Sequence, residues 1–156
     1  KMPKANFEKI DLNQTLATAL SLFRDLENIQ LEFKSELEGD TYVLADREQM
    51  LRVFQNLLKN AVQAIPETKK GVLKVVLKSE KNDLLVIVTD NGVGINESII
   101  HKIFTPNFTT KNAGMGLGLA MVKNIIENTG GHIWFETKVN VGTTFFVSIP
   151  SYKHDH

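Results

Sequence analysis

Two pairs of β-rich segments, each joined by a connection of only five residues, constrain this chain more than any other feature of it. Residues 72–78 and 84–89 flank the polar run Ser79-Glu80-Lys81-Asn82-Asp83, and residues 131–137 and 143–149 flank 138–142, with Pro150 closing the last segment. Connections this short return a strand antiparallel to its predecessor. Apolar residues recur at helical spacing over 12–26, 47–65 and 117–128. Two further β-rich runs, 29–33 and 41–44, are separated by a segment carrying the Gly39-Asp40 turn, which predicts a third hairpin. Helices early and hairpins late predict an α+β sandwich in which helices cover one face of a mixed sheet. No internal repeat or low-complexity tract interrupts this order.

A length of 156 residues suits one domain whose core needs no covalent staples, and the whole of 1–156 is expected to be a single domain behind a linker remnant at residues 1–5. Eighteen basic and eighteen acidic residues cancel, which removes the field that would attract nucleic acid or an anionic membrane. With no cysteine there is no disulfide, thiolate nucleophile or thiolate zinc site, and four scattered histidines do not build a zinc site by themselves. Apolar runs such as 84–88 fall far short of the ~20 residues a membrane helix needs, and no signal peptide opens the chain. The expectation is a cytoplasmic domain that binds no nucleic acid and inserts into no membrane, excised from a longer protein that a membrane could anchor.

The helix over 47–65 has two unlike faces. At ~100° per residue, Met50, Leu51, Phe54, Leu57, Leu58, Ala61 and Ile65 share the side predicted to be core, and Gln49, Arg52, Asn56, Asn60 and Gln63 share the other. Two readings of that polar stripe stand. It is a solvated helix back; or, because asparagine is a poor helix former that surface helices seldom choose, Asn56 and Asn60 turn carboxamides toward a ligand. A carboxamide oxygen suits Mg²⁺ held mainly by phosphates and water.

Residues 91–115 fit no regular element, and seven of the ten glycines lie between Gly92 and Gly131. Loops this long in compact domains are usually functional or disordered, and 91–115 is expected to be a lid. Strand 84–89 runs into Asp90-Asn91-Gly92-Val93-Gly94-Ile95. On one reading the Asn-Gly pair is only a tight turn. On the other, Asp90 at the end of an apolar strand needs a partner, the exocyclic amine of a nucleobase would serve, and Gly94 lets something approach the backbone. Gly114-Met115-Gly116-Leu117-Gly118-Leu119 leads into the third helix. It lacks the final glycine of the dinucleotide fingerprint, and the chain has no P-loop Gly-Lys-Ser or Gly-Lys-Thr. It is either a hinge beside a core helix or a set of exposed N–H groups at a helix N-terminus suited to phosphate. Between these motifs Phe104 and Phe108 would pin the loop, while Thr109, Thr110 and Lys111 offer two hydroxyls and a cation to phosphate oxygens, a solvated charge being the other reading of Lys111.

In this order and spacing the motifs resemble the catalytic ATP-binding domain of sensor histidine kinases, in the GHKL superfamily (HATPase_c-like), over nearly the whole chain. Asn56-Leu57-Leu58-Lys59-Asn60-Ala61 resembles the N box, 90–95 the G1 box, 104–108 the F box, 114–119 the G2 box, and Gly142-Thr143-Thr144-Phe145 the last glycine box. The resemblance implies a two-layer α+β sandwich of three helices on a mixed, mostly antiparallel sheet of about five strands. It places ATP and Mg²⁺ between the N-box helix and the lid. By the same resemblance Asp90 accepts from the adenine amino group with Thr143 supporting it through water, and Gly92, Gly94 and Ile95 lie beside the base. Asn60 binds Mg²⁺, and Asn56 and Lys59 approach the phosphates. Phe108, Thr109, Thr110, Lys111, Gly114, Met115, Gly116, Leu117, Gly118 and Leu119 then form the phosphate side of the pocket. Gln63 departs from the pattern, standing where many members carry a basic residue; Lys59 or Lys111 would have to compensate. The run Asn60-Ala61-Val62-Gln63-Ala64-Ile65 is similar to the nitrogen-regulation type.

Hydrolases of the superfamily carry a glutamate base at the position Asn56 occupies here, and an amide accepts no proton at neutral pH. A histidine kinase needs mainly positioning and charge stabilisation from this domain. The resemblance therefore implies transfer of the ATP γ-phosphoryl group to a histidine on a separate dimerisation domain, with a response regulator indirectly involved. His101, His132, His154 and His156 lack the surroundings of the family's phosphoacceptor, so no catalytic side chain is assigned within the chain. The alternative is a nucleotide-gated protein interaction module without phosphotransfer, and the third reading a GHKL ATPase.

Overall fold

The computed structural model of the chain describes residues 4–37, 39, 41–106, 108 and 118–152. It opens with a strand the sequence pattern does not announce: β1 (Phe7–Asp11) has a single fully buried side chain, Ile10. Asp11 then caps α1 (Leu12–Leu20), its carboxylate accepting from the N–H groups of Asn13 and Gln14. The helix expected over 12–26 stops at Leu20 and gives way to one 3-10 turn, Ser21–Phe23. Leu22 and Leu26 keep the helical spacing but stay 65% and 38% exposed, so no burial supports a longer helix. Asn28, at φ 65°, turns the chain into β2 (Ile29–Ser35).

The expected hairpin of 29–33 with 41–44 does not form. β2 pairs in parallel with β4 (Gly71–Glu80), whereas β3 (Tyr42–Asp46) pairs antiparallel with β1 in a separate two-stranded sheet. Burial explains the choice. Ile29, Leu31 and Phe33 of β2 pack on the main core, and Val43 and Ala45 of β3 are fully buried in that core together with Ile10. Each strand thus serves its apolar face with a partner distant in sequence.

α2 (Arg47–Ala64) is capped by Asp46, whose Oδ1 accepts from Gln49 N–H at 3.0 Å. Backbone donors from Asn6 and Gln49 hold the Asp46 carboxyl below its ordinary pKa. The apolar face of α2 buries Met50, Val53, Phe54, Leu57, Leu58 and Ala61, close to the face read from periodicity. The other two expected hairpins are present, as β4 with β5 (Asp83–Asp90) and β6 (His132–Lys138) with β7 (Gly142–Pro150). The main sheet runs β2-β4-β5-β7-β6, antiparallel except for the first pair. α3 (Leu119–Asn128) buries Leu119, Val122, Ile125 and Ile126 in the same core as Val75, Val86 and Val147 of the sheet. The α+β sandwich of three helices and a five-stranded mixed sheet is therefore as expected, with the small β1–β3 sheet added. Among the described residues no helix is long and apolar enough to cross a membrane.

Candidate nucleotide-binding site

The central strand β5 ends at Asp90, which is paired with Leu73 on one side and Thr143 on the other. The residue is 5% exposed. Oδ1 accepts from the N–H groups of Gly92 at 2.8 Å and Thr143 at 3.3 Å, and among the described residues no hydrogen bond reaches Oδ2. Burial pushes the Asp90 pKa from 3.8 up to about 6, against the opposing pull of those two N–H groups and the Lys69 charge. The neighbouring Asn91 is tied to the start of β4: its Oδ1 accepts from Val72 N–H at 2.8 Å and its Nδ2 donates to Lys70 O at 3.1 Å. The chain bends at Gly92, and among the described residues no backbone hydrogen bond closes a tight turn at the Asn-Gly pair.

From this turn, one side of α2 leads away across the site. Asn56, Asn60 and Ala64 lie on successive turns of one side of the helix, a span of about 12 Å at 1.5 Å per residue. At one end a Cβ on Gly92 would collide with the Ala64 carbonyl, to which Val93 N–H donates at 2.9 Å. At the other end Gly118 takes φ 82° and sits where an added Cβ would lie 2.8 Å from Asn56 Nδ2. At Gly92 the α2 backbone leaves no room for a Cβ, and at Gly118 the left-handed φ is what favours glycine.

Asn60 lies between them, 2% exposed, with its Nδ2 lacking a hydrogen-bond partner among the described residues. The solvated-back reading of the polar stripe therefore fails for Asn60, and also for Gln49, which is buried. Leaving such a group unsatisfied costs ~1–3 kcal/mol, so the carboxamide is available to a ligand. Asn56 is half-buried, while Lys59 and Gln63 are exposed. Gln63 lines a cleft of about 330 Å³ with Leu26, Val62, Ile65 and Pro66, at the end of α2 away from Gly118. Among the described residues no cluster of three His, Asp or Glu side chains comes together. A cation at Asn60 would therefore take most of its ligands from phosphate and water, the situation a single carboxamide suits.

The start of the expected lid is tied down. Asn140 N–H donates to Val93 O at 2.8 Å, Gly94 lies against the backbone of Lys138 and Val139, and Ile95 N–H donates to Thr137 Oγ1 at 2.9 Å. Ile95 and Ile103 are buried, and Phe104 and Phe108 pack against the core, as the pinning of this segment requires. Thr143 is 2% exposed, with its Oγ1 2.8 Å from Thr137 Oγ1. Gly118 provides no side-chain cap for α3, and among the described residues no side chain caps the first N–H groups of that helix; the Leu119 side chain itself is buried in the core. Thr109, Thr110, Lys111, Gly114, Met115, Gly116 and Leu117 lie outside the described residues. Ala64, Asn91 and Thr137 lie at the site but were not among the candidate site residues read from sequence. Ala64 was legible as a small residue one turn beyond Asn60, whereas Thr137 emerges only from its pairing with Thr143 across β6 and β7.

Residues 45–153 match the family of histidine kinase-, DNA gyrase B- and HSP90-like ATPases, HATPase_c. The sensor histidine kinase ZraS of Escherichia coli K12 is 38% identical over 148 residues, covering 92% of this chain and 31% of its own length. The sensor protein FixL of Bradyrhizobium diazoefficiens is 36% identical over 126 residues, covering 80% of this chain and 25% of its own. The chain thus spans about a quarter to a third of these curated relatives. The nucleotide-free catalytic domain of histidine kinase ThkA superposes with a TM-score of 0.81 at 35% identity, over 94% of this chain and 96% of that one. ThkA in complex with the response regulator protein TrrA gives a TM-score of 0.77 at 32% identity, over 95% of this chain and 42% of that one. With the match running from β3 through β7, and so across Asn60, Asp90 and Thr143, the chain belongs to the HATPase_c family of ATP-binding domains, as a homologue of the catalytic domains of sensor histidine kinases.

Proposed function

We propose that this chain is the ATP-binding catalytic half of a two-component sensor histidine kinase, which moves the γ-phosphoryl group of ATP to a histidine on a separate dimerisation domain. The observation that supports it most is the Asp90 carboxylate: buried, tied at Oδ1 by two backbone N–H groups, and without a partner at Oδ2 among the described residues. The adenine amino group is a donor suited to that oxygen. From the base, the side of α2 carrying Asn60 and Asn56 leads to Gly118, where uncapped N–H groups and the helix dipole favour phosphate. Lys59 and Lys111 would add positive charge, with Gly114, Gly116 and the rest of 109–117 completing the phosphate side and 91–115 acting as the lid.

Asn60 would hold Mg²⁺ in this reading. A half-turn of its terminal bond exchanges nitrogen and oxygen, so the buried carboxamide can present its oxygen. The metal supplies charge neutralisation on the phosphate oxygens when bound. The chain's own contribution is to bind, align and exclude water. Asn56 removes no proton, so water is left unactivated, whereas an imidazole nitrogen brought into line needs no base on this domain: the P–N bond forms as the bond to the β-phosphate oxygen breaks, and the imidazole proton passes to solvent. The partners are the dimerisation and phosphoacceptor domain of the same kinase and, after it, a response regulator. The domain would work in the cytoplasm, where its ATP is.

The test is reconstitution. The chain should bind Mg·ATP, hydrolyse it very slowly and fail to label itself from γ-labelled ATP. Adding the separately made acceptor domain from the same gene should give an acid-labile, base-stable phosphoramidate on that partner alone, slowly, because cutting the tether removes an effective concentration that reaches the millimolar range. Rapid multiple-turnover hydrolysis by the chain alone would replace the kinase with an ATPase. Tight nucleotide binding without transfer to a folded acceptor would replace it with a nucleotide-gated interaction module.

A further inference from the structure

We propose that Thr137 is a positioning residue for base recognition: its hydroxyl orients the Thr143 hydroxyl beside Asp90 and joins the base site to the backbone of Ile95. The inference rests on Asp90 as the adenine acceptor. Thr137 stands opposite Thr143 across β6 and β7, and Thr143 in turn stands opposite Asp90 across β5 and β7 with its N–H donating to Asp90 Oδ1, so Thr143 neighbours the carboxylate and Thr137 neighbours Thr143. Thr137 Oγ1 accepts from Ile95 N–H at 2.9 Å, a donor whose direction the backbone fixes. Its single proton then has two acceptors in reach, Thr143 Oγ1 at 2.8 Å and Gly142 O at 3.3 Å. The first has the usual O–H···O length and the second lies beyond it.

With Thr137 donating to Thr143, the Thr143 proton is left to donate in turn. Beside the adenine amino group the purine edge presents N1, an acceptor reachable by a hydroxyl or through one water. Asp90 then reads the amine and Thr143 reads N1. Guanine carries an oxygen and an N–H at the same two places, so it mismatches both. Without the Thr137 hydroxyl, Thr143 is free to rotate and to accept as readily as it donates, and half of the discrimination disappears. The same chain ends at Ile95, and because hydrogen bonds in series polarise one another, filling the base site is felt at the Ile95 amide.

The test measures ATP against 1-deaza-ATP, which lacks the N1 acceptor, for wild type, Thr137→Ser, Thr137→Val, Thr143→Val and the double valine variant. Wild type and the serine variant should prefer ATP by about tenfold, the scale of one hydrogen bond. Both single valine variants should lose that preference, and the double variant should lose no more than either. A Thr137→Val protein that binds ATP more weakly yet keeps the whole preference overturns the proposal, leaving Thr137 a purely structural hydroxyl. Should valine at 137 prevent folding, wild type alone decides: in an NMR titration the Ile95 amide must shift with ATP and shift less with 1-deaza-ATP, and equal shifts overturn the proposal. The underlying reading of the base site fails differently, through an Asp90→Asn protein whose ATP affinity is unchanged.

Discussion

Asn56 and Gly118 touch across the α2–α3 junction, with Asn56 Nδ2 2.8 Å from the place a Cβ on Gly118 would take. Two costs attend Gly118→Ala, and they separate. The left-handed backbone at φ 82° penalises any Cβ by ~1–2 kcal/mol, which urea unfolding should register whether residue 56 is Asn or Ala. The steric cost is small, because the end of an asparagine side chain can swing aside, but it moves the carboxamide that faces the phosphate end. ATP affinity should therefore fall in Gly118→Ala, and fall no further when alanine is introduced at 118 in an Asn56→Ala background. Equal losses of affinity in both backgrounds would make the contact incidental.

Base identity should rest on Asp90. A hydrogen bond to a charged group is worth ~1.5–3 kcal/mol, so Asp90→Asn should weaken ATP binding by roughly ten- to hundred-fold and GTP binding by less. Calorimetric titration of both nucleotides into wild type and variant decides it. Parallel losses for the two would demote Asp90 to a carboxylate that only shapes the turn at Gly92.

Acidity should act on stability and on binding with opposite signs. Because burial raises the Asp90 pKa from 3.8 to about 6, the folded protein holds this proton more tightly than the unfolded chain. The stability it contributes is complete below 3.8 and is lost as the pH rises through 6, a swing of about 3 kcal/mol from this one group. Other carboxylates titrate in the same range, so the quantity to follow is wild type minus Asp90→Asn in the absence of nucleotide. That difference should turn against wild type between about pH 4 and pH 6. With Asp90 as the proposed adenine acceptor, ATP binding needs it ionised, so binding should weaken below about pH 6 in wild type, beyond any pH dependence of the variant. A stability difference flat across this window would show that Asp90 is solvated despite its surroundings.

Local patterns were legible where neighbours in sequence are neighbours in space. The core face of α2, the β4–β5 and β6–β7 hairpins and the strand end at Asp90 are all of that kind. The 29–33 and 41–44 runs misled because a short gap with a Gly-Asp turn looks like a hairpin, while their partners, β4 and β1, are chosen by core burial elsewhere. β1 offers only Ile10 to the core and so gives almost no period to read. The site divides similarly. Asp90 stood out as a carboxylate at the end of an apolar strand and Asn60 as an asparagine inside a helix, but Thr137 is an ordinary strand threonine until register sets its hydroxyl 2.8 Å from that of Thr143.

Asn60 should matter for nucleotide and not for the fold. Its Nδ2 is buried without a partner among the described residues, so the side chain already costs the apo protein something, on the order of 1–3 kcal/mol for an unsatisfied polar atom. Asn60→Leu exchanges that group for one of similar volume, and the apo protein should be at least as stable as wild type in thermal or urea unfolding. If the carboxamide oxygen serves as a ligand for Mg²⁺, the same substitution should abolish the gain in ATP affinity that Mg²⁺ gives wild type while leaving metal-free binding nearly intact. Asn60→Asp keeps an oxygen and adds charge, so it should retain metal dependence while shifting the Mg²⁺ concentration at half effect. The combination is what discriminates: a leucine variant that is stable, binds ATP without metal and ignores Mg²⁺ identifies a ligand residue. One that unfolds, or that responds to Mg²⁺ as wild type does, means that Asn60 is there for packing.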